Sequence, residues 1–189
     1  MKKEISSFIK ENQEVAAKIL ERQVADIEFV ANKIINSLKN GGKLITCGNG
    51  GSAADSQHMV GELVGRFLKE KKPLAAIALT TNTPILTAVA NDYGFDVTFS
   101  KQLEALGKKE DILLVISTSG NSKNILRAIA IAKKMGIYSV ALTGKDGGEL
   151  KRMADYTLIV PSDNTPRIQE GHSLIIHILC ELIENTLAE

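Results

Sequence analysis

Tryptophan is absent from the 189 residues and aromatics make up only 4% of them, which leaves no platform for stacking nucleobases. Neither sign of charge is in excess. Lys+Arg number 23 and Asp+Glu 22, and no basic block marks a nucleic-acid footprint. The two cysteines, Cys47 and Cys180, have neither CxxC spacing nor a disulfide-rich context, so reduced thiols are expected. No apolar run reaches the length of a membrane span. The stretch MKKEISSFIKENQE turns polar before a signal-peptide core develops. Repeats, low-complexity tracts and an interdomain linker are missing too. The expectation is a cytoplasmic α/β protein with one domain over residues 1–189, large enough for a sizeable core, with neither nucleic acid nor membrane as partner.

What is present centres on Ile112 to Ser122, ILLVISTSGNS. The first half is apolar and branched, as suits a strand buried on both faces of a parallel sheet. The second half supplies four hydroxyls and a glycine within six residues, followed by a helical pattern from Asn121 to Lys134. A strand, a small polar loop and a helix N-terminus make an anion site, because unpaired N–H groups and the helix dipole point at the ligand. The loop has no lysine and is therefore not the phosphate loop of nucleotide hydrolases. The plain alternative is a Ser-rich turn with a helix cap.

In chain order, residues 3–39 read as one helix, with Val24, Ile27, Val30, Ile34 and Leu38 at three- and four-residue steps. Part of this stripe is expected to pack on a second subunit; packing on the chain's own sheet is the alternative. Asn40-Gly41-Gly42 stops the helix. Lys43–Cys47 is a strand, Gly48–Ser52 a second glycine-rich loop, and Ala53–Phe67 a helix. Strands at Leu74–Leu79, Ile112–Ile116, Ile137–Leu142 and Tyr156–Val160 alternate with helices. One helix opens at Thr83-Pro84, with Thr83 as its cap. Others cover Asp96–Leu106, Glu149–Met153 and Arg167–Leu187. The pattern predicts a doubly wound, five-stranded parallel sheet flanked by helices, flavodoxin-like, with a long N-terminal helical segment. In such sheets ligands sit at the carboxyl edge of the strands.

His58 and Glu62 stand one turn apart on the helix after the glycine loop, with Asp55 and Arg66 on the same face. They can ligate a metal, or Glu62 can act as a base; alternatively Glu62 simply pairs with Arg66. The last helix carries Gln169, His172 and His177 among apolar neighbours, and buried polar groups of this kind need partners. Gln169 and His177 are eight residues apart, roughly 12 Å along a helix. They meet one metal only with extended side chains, an irregular first turn, or ligands from different subunits. His172 is a rival ligand.

With CGNGGSAADSQH (47–58), ANDYGF (90–95), ISTSGNS (116–122), LTGKDGG (142–148) and RIQEGH with His177 (167–177) in view, the chain resembles the sugar isomerase (SIS) domain family. Within that family it is most similar to the phosphoheptose isomerase branch. The resemblance implies that Ser117, Thr118, Ser119 and Ser122 hold a substrate phosphate. It implies that Asn49, Gly50, Gly51 and Ser52, with Asn91 and Asp92, line the sugar, and that Glu62 and Gln169 also touch it. It implies one zinc ion per subunit on His58, Glu62, Gln169 and His177, with Glu62 and His177 as the acid–base pair. The implied reaction is aldose–ketose isomerisation of sedoheptulose 7-phosphate to D-glycero-D-manno-heptose 7-phosphate through an enediol, opening the supply of nucleotide-activated heptose for surface glycans. The implied assembly is a homotetramer with composite sites between subunits. Some members have an acidic residue where this chain has Pro166, so no role is expected there. Two rival readings come from the same family: a non-catalytic scaffold that binds a replication initiator, and a sugar-phosphate-sensing regulatory domain.

Overall fold

A computed structural model describes residues 1–188; the last residue of the expected domain lies outside them. Five parallel strands, β1 (Leu44–Gly48), β2 (Ala76–Ala78), β3 (Ile112–Ser117), β4 (Tyr138–Thr143) and β5 (Tyr156–Ile159), form one sheet in the order β2-β1-β3-β4-β5. Side chains alternate across it, so each strand feeds two cores. Leu44, Ile112, Leu114 and Ile116 face one core, while Ile45, Cys47, Leu113 and Val115 face the other. Both cysteines are buried as free thiols.

The first core is closed by α1 (Lys2–Arg22), α2 (Val24–Lys39), α3 (Gly51–Val64) and α8 (Thr165–Leu187). The second is closed by α5 (Thr98–Leu106) and α6 (Lys123–Met135), with a contribution from Leu150 of the short α7 (Leu150–Met153). The remaining helix, α4 (Thr83–Tyr93), has no buried residue. Chain order reverses between β1 and β3, which are register neighbours from Leu44↔Ile112 to Gly48↔Ile116. That reversal puts a ligand crevice at their carboxyl ends.

Three expectations change. The single helix over 3–39 is two helices, broken at Gln23 (φ −123°, ψ 4°), whose amide reaches across to the carbonyl of Ile159. The cap of α4 is Asn82 rather than Thr83: its Oδ1 accepts from the Ile85 N–H at 3.1 Å. The helix after the glycine loop ends at Val64, earlier than Phe67. Arg66 is therefore off the helix, and the Glu62–Arg66 pair of the alternative reading does not form; Glu62 Oε1 instead lies 2.9 Å from His58 Nε2.

His172 is fully buried, and its Nε2–H donates to the carbonyl of Thr143 at the end of β4, 2.9 Å away. It straps α8 to the sheet and is not placed as a metal ligand. Burial pushes its imidazole down to about 4 from an ordinary 6.5. Below pH 6.5 the unfolded chain therefore binds a proton that the native chain refuses. Native stability is full above that pH and falls as pH drops towards 4, by about 3 kcal/mol at about 1.4 kcal/mol per unit. Urea midpoints between pH 7 and 4.5 should fall less steeply for His172→Gln than for the parent; parallel curves would refute the assignment.

Candidate active site

The glycine and serine loops follow adjacent strands, and their helices start side by side. Asn49, Ser52, Ser117, Thr118, Ser119 and Ser122, with Ile116, line one crevice of about 90 Å³. Gly50 caps α3 in a left-handed conformation (φ 57°) that a side chain rarely adopts. Ser122 occupies the N-cap of α6 but does not cap it; its hydroxyl lies 3.4 Å from that of Ser117, across the crevice. The helix N-terminus and the hydroxyls thus stay available to one anion.

The two loops are joined by a pair of amides. Asn49 Nδ2 donates to Asn124 Oδ1 and Asn124 Nδ2 to Asn49 Oδ1, both at 2.9 Å. Asn124 Oδ1 also accepts from the Ile125 N–H at 3.0 Å. Sequence reasoning missed Asn124; its only signal was a buried-face asparagine in the first turn of α6. The residues just after the 142–148 motif support the serine loop from behind: the Leu150 N–H donates to Gly120 O (3.0 Å) and the Glu149 N–H to Asn121 Oδ1 (2.9 Å).

A second group lies where α3 and α8 pack together. One ligating atom from each of His58, Glu62 and His177 lies within 4.8 Å of the other two. The two imidazole Nε2 atoms are 3.4 Å apart, with the rings edge to face. Two imidazoles and a carboxylate converging on one point form a donor set suited to zinc. Asp55, one turn before His58, accepts from the Ser173 hydroxyl at 3.1 Å. Burial raises its carboxyl above the ordinary range, against the opposing pull of Ser173, His58 and His177.

Gln169, Asn91 and Asp92 stand outside the crevice lining. Gln169 sits in regular helix, and its amide packs against Gly51. It is two turns away from His177, so an irregular first turn does not explain the spacing. Asn91 and Asp92 lie on the exposed end of α4, hydrogen-bonded to each other at 2.8 Å, and neither lines the crevice.

A phosphate-sized crevice at the switch point of a doubly wound sheet, with a His-Glu-His cluster along the helix that starts there, defines a sugar-phosphate enzyme of the SIS class; residues 7–144 match the SIS domain. The chain is 52% identical over 177 residues to the phosphoheptose isomerase of Helicobacter pylori strain P12, covering 94% of this chain and 92% of that one. It superposes on the phosphoheptose isomerase of Francisella tularensis with TM-score 0.94 and 42% identity, covering 97% of each. For the Neisseria gonorrhoeae enzyme the TM-score is 0.92 at 42% identity, over 97% of this chain and 98% of that one. This chain belongs to the phosphoheptose isomerase family.

Proposed function

We infer that this protein interconverts D-sedoheptulose 7-phosphate and D-glycero-D-manno-heptose 7-phosphate. The observation that carries the reading is the pairing of the serine-loop crevice with the His58–Glu62–His177 cluster, in a chain related over 94% of its length to a phosphoheptose isomerase. Ser117, Thr118, Ser119 and Ser122 grip the phosphate. Asn49, Gly50, Gly51 and Ser52 lie along the sugar, and a grip remote from the reacting carbons fixes their position. Glu62 takes a proton from C1 of the ketose, leaving an enediol, and returns it to C2; His177 moves the balancing proton between O1 and O2.

His58, Glu62 and His177 fit zinc, with Gln169 as the fourth donor. When bound, the ion supplies Lewis-acid polarisation of the carbonyl oxygen. The eight-residue spacing of Gln169 and His177 on one regular helix, roughly 12 Å, supports a composite site, in which Gln169 of a neighbouring copy serves. Asn91 and Asp92, away from the crevice of their own chain, fit the same arrangement. A groove between α1, α2 and α8, lined by Leu20, Val24, Leu174 and Leu182, supports a homotetramer. In it Leu20 is 73% exposed and Val24 57%, an apolar face of the kind that marks a protein–protein contact. Among the described residues no helix is long and apolar enough to cross a membrane. The proposed setting is the cytoplasm, and the proposed product feeds nucleotide-activated heptose for surface glycans.

The test is an NMR assay of sedoheptulose 7-phosphate with and without a chelator. Turnover that stops on chelation and returns with zinc is expected; no turnover in any arm would overturn the reading. His58→Ala should lose bound zinc.

A further inference from the structure

Behind the His-Glu-His cluster lies an ion pair that none of the proposed chemistry uses. Lys71 Nζ is 2.9 Å from Glu184 Oε1, and both side chains are only 1% exposed. The ammonium has three protons and three acceptors: that carboxylate, the carbonyl of Glu62 (3.0 Å) and the carbonyl of Gly65 (2.6 Å). The carboxylate is equally complete. Besides Lys71 it accepts the N–H groups of Phe67 (3.2 Å), Leu68 (2.9 Å) and Lys69 (3.1 Å). Burial alone would raise Glu184, but Lys71 and the amides of Leu68 and Lys69 outweigh it and hold the carboxyl below its ordinary range.

Stability alone is a weak reason for such a pair, since well-packed apolar residues often serve as well or better. What apolar residues cannot do is hold particular backbone groups. Two of the groups held here belong to residues at the site. One is the carbonyl of Glu62, in the last turn of α3, where a cation also suits the helix dipole. The other is the amide of Phe67, whose ring stacks on His177 at 5.8 Å between centroids and 19° between planes. One buried node therefore fixes the backbone of the base and the ring that backs the imidazole.

We propose that Lys71 and Glu184 are positioning residues for the catalytic pair, acting through the Glu62 carbonyl and through Phe67 on His177. The proposal rests on the roles assigned above to Glu62 and His177. The decisive variant is the charge-free double substitution Lys71→Met/Glu184→Leu, which removes the node while filling its volume; Phe67→Leu removes the ring alone. The chain has three histidines, so the imidazole C–H resonances of His177 can be assigned and followed by NMR in metal-free protein. In both variants those resonances should shift, from loss of the Phe67 ring current or of its placement. The double variant should melt below the parent, because the backbone groups of Glu62, Gly65, Phe67, Leu68 and Lys69 lose their partners, whereas Phe67→Leu keeps the node. Assayed where each is folded, both should lose about tenfold or more in kcat with KM within about twofold. Unchanged His177 resonances and parental kcat in either folded variant would overturn the proposal. If the parent fails to turn over the sugar phosphate but the resonances still shift, the reaction is misassigned and the positioning device stands.

Discussion

Glu62→Gln is expected to lower turnover of sedoheptulose 7-phosphate by about a thousandfold, within the range that a positioned general base contributes. The substitution keeps the shape of the side chain and an oxygen donor, but an amide cannot accept the C1 proton. Glu62 has two proposed jobs, base and zinc ligand, and the variant separates them. The proposed set already includes one amide, Gln169, so an amide oxygen at position 62 leaves the donor set workable. Zinc content by mass spectrometry should therefore stay near that of the parent while turnover collapses. Loss of zinc in proportion to activity would assign Glu62 to the metal alone. A parental rate would remove it from the mechanism. The 2.9 Å contact with His58 is kept by either residue in one imidazole tautomer, so a folding defect is not the expected cause of the loss.

The parts of this molecule that were legible in sequence are those written locally. The switch from ILLVI to STSGNS marks a strand, a loop and a helix start within eleven residues, and the structure places β3, the crevice and α6 there. His58 and Glu62 are neighbours because four residues make about one helical turn. Their approach to His177, 119 positions from His58, is tertiary, and only the resemblance pointed to it. The break at Gln23 was hidden because the apolar period continues on both sides of it. Asn82 and Thr83 are both good caps, and only geometry chooses between them. The Asn49–Asn124 pair joins loops 75 positions apart. Lys71 and Glu184 carry no local sign of burial, since charged residues are almost never fully buried unless paired and nothing local announces a partner 113 positions away.

Gly120→Ala should do to the phosphate grip what Glu62→Gln does to the chemistry. Gly120 has φ 65°, a left-handed backbone that costs a residue with a Cβ about 1–2 kcal/mol. A Cβ there would also overlap the carbonyl of Gly147, a backbone atom that cannot swing aside like a side chain. The 144–148 loop cannot simply retreat. Gly148, itself at φ 55°, lies against Ser119, and the Leu150 and Glu149 amides are bonded to Gly120 and Asn121. Relief therefore has to come from the serine loop, and with it Ser119 and Ser122 leave their places around the crevice. The expected result is a fall of about a hundredfold or more in kcat/KM, because binding energy from a remote phosphate is what positions the reacting carbons. Affinity for inorganic phosphate, measured by calorimetry, should fall with it. Zinc content should not, since His58, Glu62 and His177 lie on α3 and α8, away from the strained loop. Parental phosphate affinity in Gly120→Ala would mean that the interlock of the two glycine-bearing loops does not shape the crevice. Zinc loss together with phosphate loss would mean that the two halves of the site are not separable in the way their elements suggest.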